Sequence, residues 1–323
     1  MADTETRAEG RSAEAAGGES AVTVLIALGA NLLIALAKTV AALLTASASM
    51  LAEAAHSWAD TGNEVFLYIA GRRAAKPPTV RHPLGFGRDT YVWSMFAAVG
   101  LFTVGAAVSV LHGIGELGVK GPAEHPIINY VVLAVSFVLE GVSFLRAFQQ
   151  VRRSAGAAQQ DLLDFALTTS DPTVRAVVFE DAAALVGIVI AAVGVGLHQV
   201  TENGIWDAVG SIAVGLVLGV TAILLIQQNR MFLIGEAVDP RIRASVLDLL
   251  LQNDDVLGVT YLHLEYVGPG LVYLVAAVDL TDDAPEHEVA IRLRRLAQSL
   301  EERPHVRRAI ITLSVPGDAP AVP

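Results

Sequence analysis

His56 and Asp60 stand four residues apart in one long apolar run, and Glu180 and Asp181 stand side by side in another. An ionisable group at the centre of a bilayer costs roughly 2.5–3.5 kcal/mol on insertion scales, so such residues mark an ion path or pair with one another. Imidazole together with carboxylate is a ligand set suited to a divalent transition metal. The spacing Glu53-x-x-His56-x-x-x-Asp60 puts three polar groups on one helical face, and Asn63 extends that face by a turn. Adjacent helical residues point ~100° apart, so Glu180 and Asp181 cannot both face one ion. Asp181 is read as a ligand, and Glu180 as either a fourth ligand or a proton carrier. Glu140 and Asn31 are further polar residues in apolar runs, open to proton coupling or to a supporting role, as are Glu53 and Asn63. Lys38 can snorkel or pair with an acid, and Asp207 reads as a cap.

The elements that must position these groups follow from composition. Of 323 residues 53% are apolar, and the mean hydropathy is +0.53, above the ~45–50% apolar share of soluble domains. The excess falls in segments of the length that crosses ~30 Å of hydrocarbon. Six spans are predicted, over about 21–44, 49–71, 90–111, 127–148, 174–197 and 205–226. Lipid forces each to be helical, because no water is there to satisfy the backbone. Bases gather in alternate loops: Arg72, Arg73, Lys76, Arg81 and Arg88; then Arg152, Arg153 and Arg175; then Arg230, Arg241 and Arg243. The opposite loops carry only Lys120. The positive-inside rule places both termini in the cytoplasm.

Residues 1–20, with five acids and two arginines, read as a disordered, solvated tail, and residues 21–236 as the six-helix transmembrane domain. From 237 to 316 the pattern changes to helix, two strands, amphipathic helix and strand, which predicts a small α+β domain of α-β-β-α-β, ferredoxin-like type. Residues 317–323 are expected to fray. There is no cysteine, which excludes disulfides and thiolate metal sites. The net charge of −11 argues against nucleic acid. No nucleophile motif, phosphate loop or cofactor signature marks an enzyme, so the expected partners are a divalent metal as cargo, protons and the surrounding lipid. Two other classes fit the same residues: a proton pathway without tight metal binding, and a membrane-anchored interaction protein with structural buried charges. Usage rich in Ala, Gly, Val and Arg, with no presequence, predicts a bacterial inner membrane.

The motifs together resemble the cation diffusion facilitators, the family that includes zinc transporters, over roughly residues 22–316. His56 and Asp60 in HSWAD match the second-span motif of that family, and Asp181 matches the acid of its fifth-span His-x-x-x-Asp, where this chain has Val177 in place of the His. The sequence is most similar to the branch that exports zinc from animal mitochondria, through His82-Pro83-Leu84-Gly85-Phe86, Glu140-Gly141 and Glu180-Asp181-Ala182-Ala183-Ala184. The resemblance implies exchange of a divalent cation for protons and a homodimer joined through the C-terminal domain. Zinc is the first cargo implied, with manganese, iron(II) or cobalt as alternatives. It also implies that this domain holds no zinc of its own: Ala277, Leu313 and Val315 fill the matching strand positions, only His263 remains, and Phe86 replaces a second His beside His82.

Overall fold

The computed structural model describes residues 28–118, 121, 125–158, 161–162, 165, 168–315 and 317–321. The acidic tail, the start of the first span and Lys120 lie outside them. The helices are α1 (Leu28–Thr45), α2 (Ala48–Ala74), α3 (Asp89–Glu116), α4 (Pro126–Ala158), α5 (Pro172–Thr201), α6 (Ile205–Ile234), α7 (Pro240–Leu251) and α8 (Glu286–Glu301). The strands are β1 (Val256–Gly268), β2 (Leu271–Leu280) and β3 (Val306–Leu313). Among the described residues five helices, α1, α3, α4, α5 and α6, are long and apolar enough to cross a membrane. Helix α2 has the length, but Glu53, Asp60 and Glu64 dilute its apolar character.

The chain divides into two compact units. One is built from α1, most of α2 and the bulk of α3 to α6; the other from Ala70–Trp93, Thr168–Pro172 and Gln227–Pro323. The helical unit is inverted relative to a soluble protein. Its outer surface carries Leu33, Leu43, Val104, Leu111, Val138 and Leu216, while Lys38, Glu53, His56, Asn63, Glu140 and Glu180 are inside. Without an apolar driving force between helices, close packing by small residues is what holds such a bundle. Gly113 sits against Ala208 and Ile212, Gly215 sits against Ala106 and Ser109, and the Ser211 hydroxyl donates to Ser109 O at 2.8 Å.

Local chemistry sets the helix ends. Ala46 takes a positive φ of 48°, which turns the chain sharply between α1 and α2. Ser47 then caps α2, its Oγ accepting from Met50 N at 3.2 Å. Proline opens α4 and α5, where its missing N–H costs nothing. Because Pro172 starts α5 early, Arg175 lies within the helix and is fully buried, not in a basic loop as the charge pattern implied. A π-helical turn, Ala98–Phe102, interrupts α3, with Thr103 Oγ1 donating to Ala98 O at 3.2 Å.

In the second unit the strands lie in the order β1-β2-β3, with β1 and β2 antiparallel and β2 and β3 parallel. The parallel pair requires a crossover, which α8 supplies. Along β2, Val272, Leu274, Ala276, Val278 and Leu280 are buried, the period-two pattern of a sheet with one covered face. Leu247 and Leu250 of α7 and Leu296 and Leu300 of α8 complete that core. Asp239 caps α7 by accepting from Arg241 N at 2.8 Å. The segment expected to fray is tethered, since Ala321 N donates to Val259 O at 2.7 Å; residues 322–323 lie outside the described ones.

Candidate metal centre

Helix α2 carries His56 and Asp60 one turn apart, and the structure brings His56 Nε2 to 3.6 Å from Asp60 Oδ1. His56 is 1% exposed. Both of its ring nitrogens, together with Asp60 Oδ1 and Asp181 Oδ2, are buried without a hydrogen-bond partner among the described residues. Buried polar groups are normally paired, so four such atoms in one apolar bundle are a donor set in search of a cation or protons. The charges of Glu180, Glu140 and Asp181 act on Asp60, and those of Asp181 and Glu140 act on Glu64. The acids of α2, α4 and α5 therefore share one neighbourhood.

The adjacent acids of α5 diverge as helical geometry requires. Both carboxylate oxygens of Glu180 accept from Asn63 Nδ2, at 2.6 and 2.8 Å, so Asn63 ties α2 to α5 through Glu180. Asp181 instead accepts a hydrogen bond from Ser143 of α4. Glu140, 7% exposed, comes from α4. Among the described residues no three His, Asp or Glu side chains stand in a ready-made metal-ligating arrangement. The assembled element is the His56–Asp60 pair, with the acids of α5 and α4 around it.

Glu53 belongs to a different structure. Lys38 Nζ of α1 donates to Glu53 Oε2 at 2.9 Å, with side chains 1% and 0% exposed. Lys38 is thus paired and does not snorkel. One carboxylate oxygen of Glu53 is committed to the ammonium; the other, Oε1, is buried and unpartnered. Asn31 Nδ2 of α1 donates to Glu64 Oε1 at 2.7 Å, so two polar rungs fasten α1 to α2, and Asn31 is a partner of Glu64.

Three contributors escaped sequence reasoning. Glu64 is one. The second is Gly187 of α5, where a Cβ would run into Glu53 Oε1 and lie 3.7 Å from His56 Nδ1. Its missing side chain makes the room in which Glu53 and His56 sit. The third is the reach of Asp207 at the start of α6. It is a cap, but of α2: its carboxylate accepts from Ser47 Oγ at 2.9 Å and from the backbone N–H groups of Ala48 and Ser49 at 2.6 and 3.2 Å. Opposite charges in neighbouring spans, Lys38 and Glu53, were the available signal for the ion pair; no pattern within one segment announces the glycine.

Gly187→Ala is accordingly expected to lower both the melting temperature and any metal transport, because Lys38 holds Glu53 in place and overpacking costs about 1–3 kcal/mol. Gly219→Ala, whose Cβ would meet Ala106 at an ordinary 3.8 Å, is the control. Equal melting temperatures and transport rates for the two variants would refute the spacing role.

An inverted helical bundle with a buried imidazole–carboxylate pair, joined to a small α+β unit, defines a membrane protein built around an internal polar site. The chain belongs to the cation efflux family: residues 24–234 match the cation efflux transmembrane domain. It is 37% identical over 231 residues to metal tolerance protein C4 of Arabidopsis thaliana, covering 71% of this chain and 50% of the relative. It is 34% identical over 256 residues to the proton-coupled zinc antiporter SLC30A9, mitochondrial, of Homo sapiens, covering 79% of this chain and 45% of the relative. An uncharacterized transporter of Methanocaldococcus jannaschii is 24% identical over 296 residues, 90% of this chain and 97% of the relative. The chain spans about half the length of the plant and human relatives.

Proposed function

We propose that this protein carries a divalent metal cation, zinc first, across a membrane in exchange for protons, with His56, Asp60 and Asp181 as ligands and Glu180 as a fourth ligand or proton carrier. The observation that carries the reading is the set of buried, unpartnered atoms on His56, Asp60 and Asp181, in a bundle whose family is one of cation efflux. A dication satisfies those atoms when bound; protons replace it when it leaves, because a bare carboxylate is costly in a dry bundle. The same groups holding either metal or protons couples the two flows, and metal binding releases protons. A relative named as a proton-coupled zinc antiporter supports zinc and protons as the pair.

In this reading α2 is the sixth crossing, its acids shielded by Lys38, Asn31 and the other helices. Both termini lie in the cytoplasm of a bacterial cell, and residues 237–316 join two copies through a domain without a metal of its own. Manganese, iron(II) and cobalt are the alternative cargoes, since an oxygen-rich set without the fifth-span His relaxes selectivity. The test is uptake of zinc, manganese, iron(II) and cobalt into proteoliposomes under an imposed pH gradient. Metal uptake that ignores the gradient would remove the exchange mechanism, and a proton current without metal uptake would favour the proton-pathway class.

A further inference from the structure

The loop after α2 helps to build a cavity with two basic residues in its wall, apart from the residues assigned to the metal centre. It measures 240 Å³, and its walls include Lys76, Pro77, Leu84, Phe86, Leu271 and Arg307. The His82–Phe86 motif shapes it. Gly85 takes φ +83°, a conformation that side chains disfavour, and a Cβ there would collide with Arg307 Nη2 at 2.6 Å. Leu84 O accepts from Arg307 Nε at 3.2 Å. Glycine and carbonyl together therefore seat the guanidinium and leave its Nη groups available. His82 packs its ring on Phe86, with centroids 4.5 Å apart, which stiffens the wall.

Some arginines of this unit are matched by acids: Arg73 by Asp89, Arg88 by Glu265 and Arg308 by Glu301. Among the described residues neither Lys76 nor the Nη groups of Arg307 have an acid or hydrogen-bond partner. Two unmatched cations over apolar walls select an anion with an apolar or glycerol-like substituent. A guanidinium fork suits phosphate oxygens and an ammonium adds a point charge. Lys76 follows shortly after the end of α2 at Ala74, and basic residues flanking a crossing helix meet the anionic surface of a membrane.

We propose that Lys76 and Arg307, seated by the His82–Phe86 loop, form a binding site for a phosphate group, either of an anionic lipid headgroup or of a small soluble phosphate. The membrane source rests on α2 being a crossing; the soluble source does not, and neither depends on the metal centre. The full-length protein is purified in detergent. Retained phosphatidylglycerol against phosphatidylcholine is counted by native mass spectrometry, and thermal protection by inorganic phosphate is measured without lipid. Lys76 is exposed, so Lys76→Gln leaves the fold intact; Arg307→Gln is the second variant, and Arg81→Gln, outside the cavity, is the control. The expected result is selective retention of phosphatidylglycerol that falls about five-fold in Lys76→Gln, the worth of one basic residue near an anionic surface, and stays near wild type in Arg81→Gln. Phosphate protection lost in Lys76→Gln would instead assign the site to a soluble ligand. Equal retention and protection in wild type and Lys76→Gln, or an equal loss in Arg81→Gln, would overturn it.

Discussion

Replacing Asp60 with alanine is expected to reduce zinc uptake by more than about 100-fold, while the protein still inserts and folds. Asp60 is one half of a pair on α2 that the fold brings together, at 3.6 Å from His56. Its Oδ1 atom has no hydrogen-bond partner among the described residues to lose, so the deletion costs little stability. Outer-shell partners of a metal site already cost 10–100-fold in affinity or activity, and a ligand costs more. Asp181→Ala should follow Asp60→Ala. Glu180→Gln should be milder and flatten the dependence of rate on pH, since the amide keeps the shape facing Asn63 but cannot titrate. Proteoliposome uptake at near wild-type rates in Asp60→Ala would remove Asp60 from the ligand set.

The second large effect falls on stability. Lys38→Met leaves the Glu53 carboxylate buried opposite an apolar chain, and losing one partner of a buried pair costs about 3–5 kcal/mol. Replacing both partners by apolar residues of similar volume is often neutral, so Lys38→Met with Glu53→Leu should recover most of the loss. Thermal unfolding of the detergent-solubilised variants measures this. A double variant no more stable than Lys38→Met alone would mean that the pair is not the source of the loss.

The sequence made some of this readable and hid the rest for physical reasons. His56 and Asp60 were legible because an i, i+4 spacing fixes two side chains on one helical face whatever surrounds them. The divergence of Glu180 and Asp181 was legible because adjacent helical residues must point apart. The strands of the C-terminal unit showed in the alternation from Val272 to Leu280, but their order did not, because pairing is a relation between segments. The same limit hid Lys38–Glu53, Asn31–Glu64 and Asn63–Glu180, since the register of one helix against another is not written in either. Gly187 was invisible because its contribution is the absence of a side chain opposite Glu53. Val177, where the family resemblance implies a His, signalled a departure; the tie from Asn63 to Glu180, in the same helix as Val177, was not announced by it.

The capping of α2 by Asp207 bears on how the chain is made. Synthesis runs from the N-terminus, so the opening turn of α2 emerges 159 residues before the carboxylate that accepts its first N–H groups. Early in translation the Lys38–Glu53 and Asn31–Glu64 contacts tie α2 to α1, while Ser47 alone caps its opening turn, which is only partly satisfied. The arrival of α6 supplies the missing acceptor. The least apolar helix of the bundle is thus secured by the last long one, so that settling of the polar helix in lipid is coupled to completion of the helical bundle.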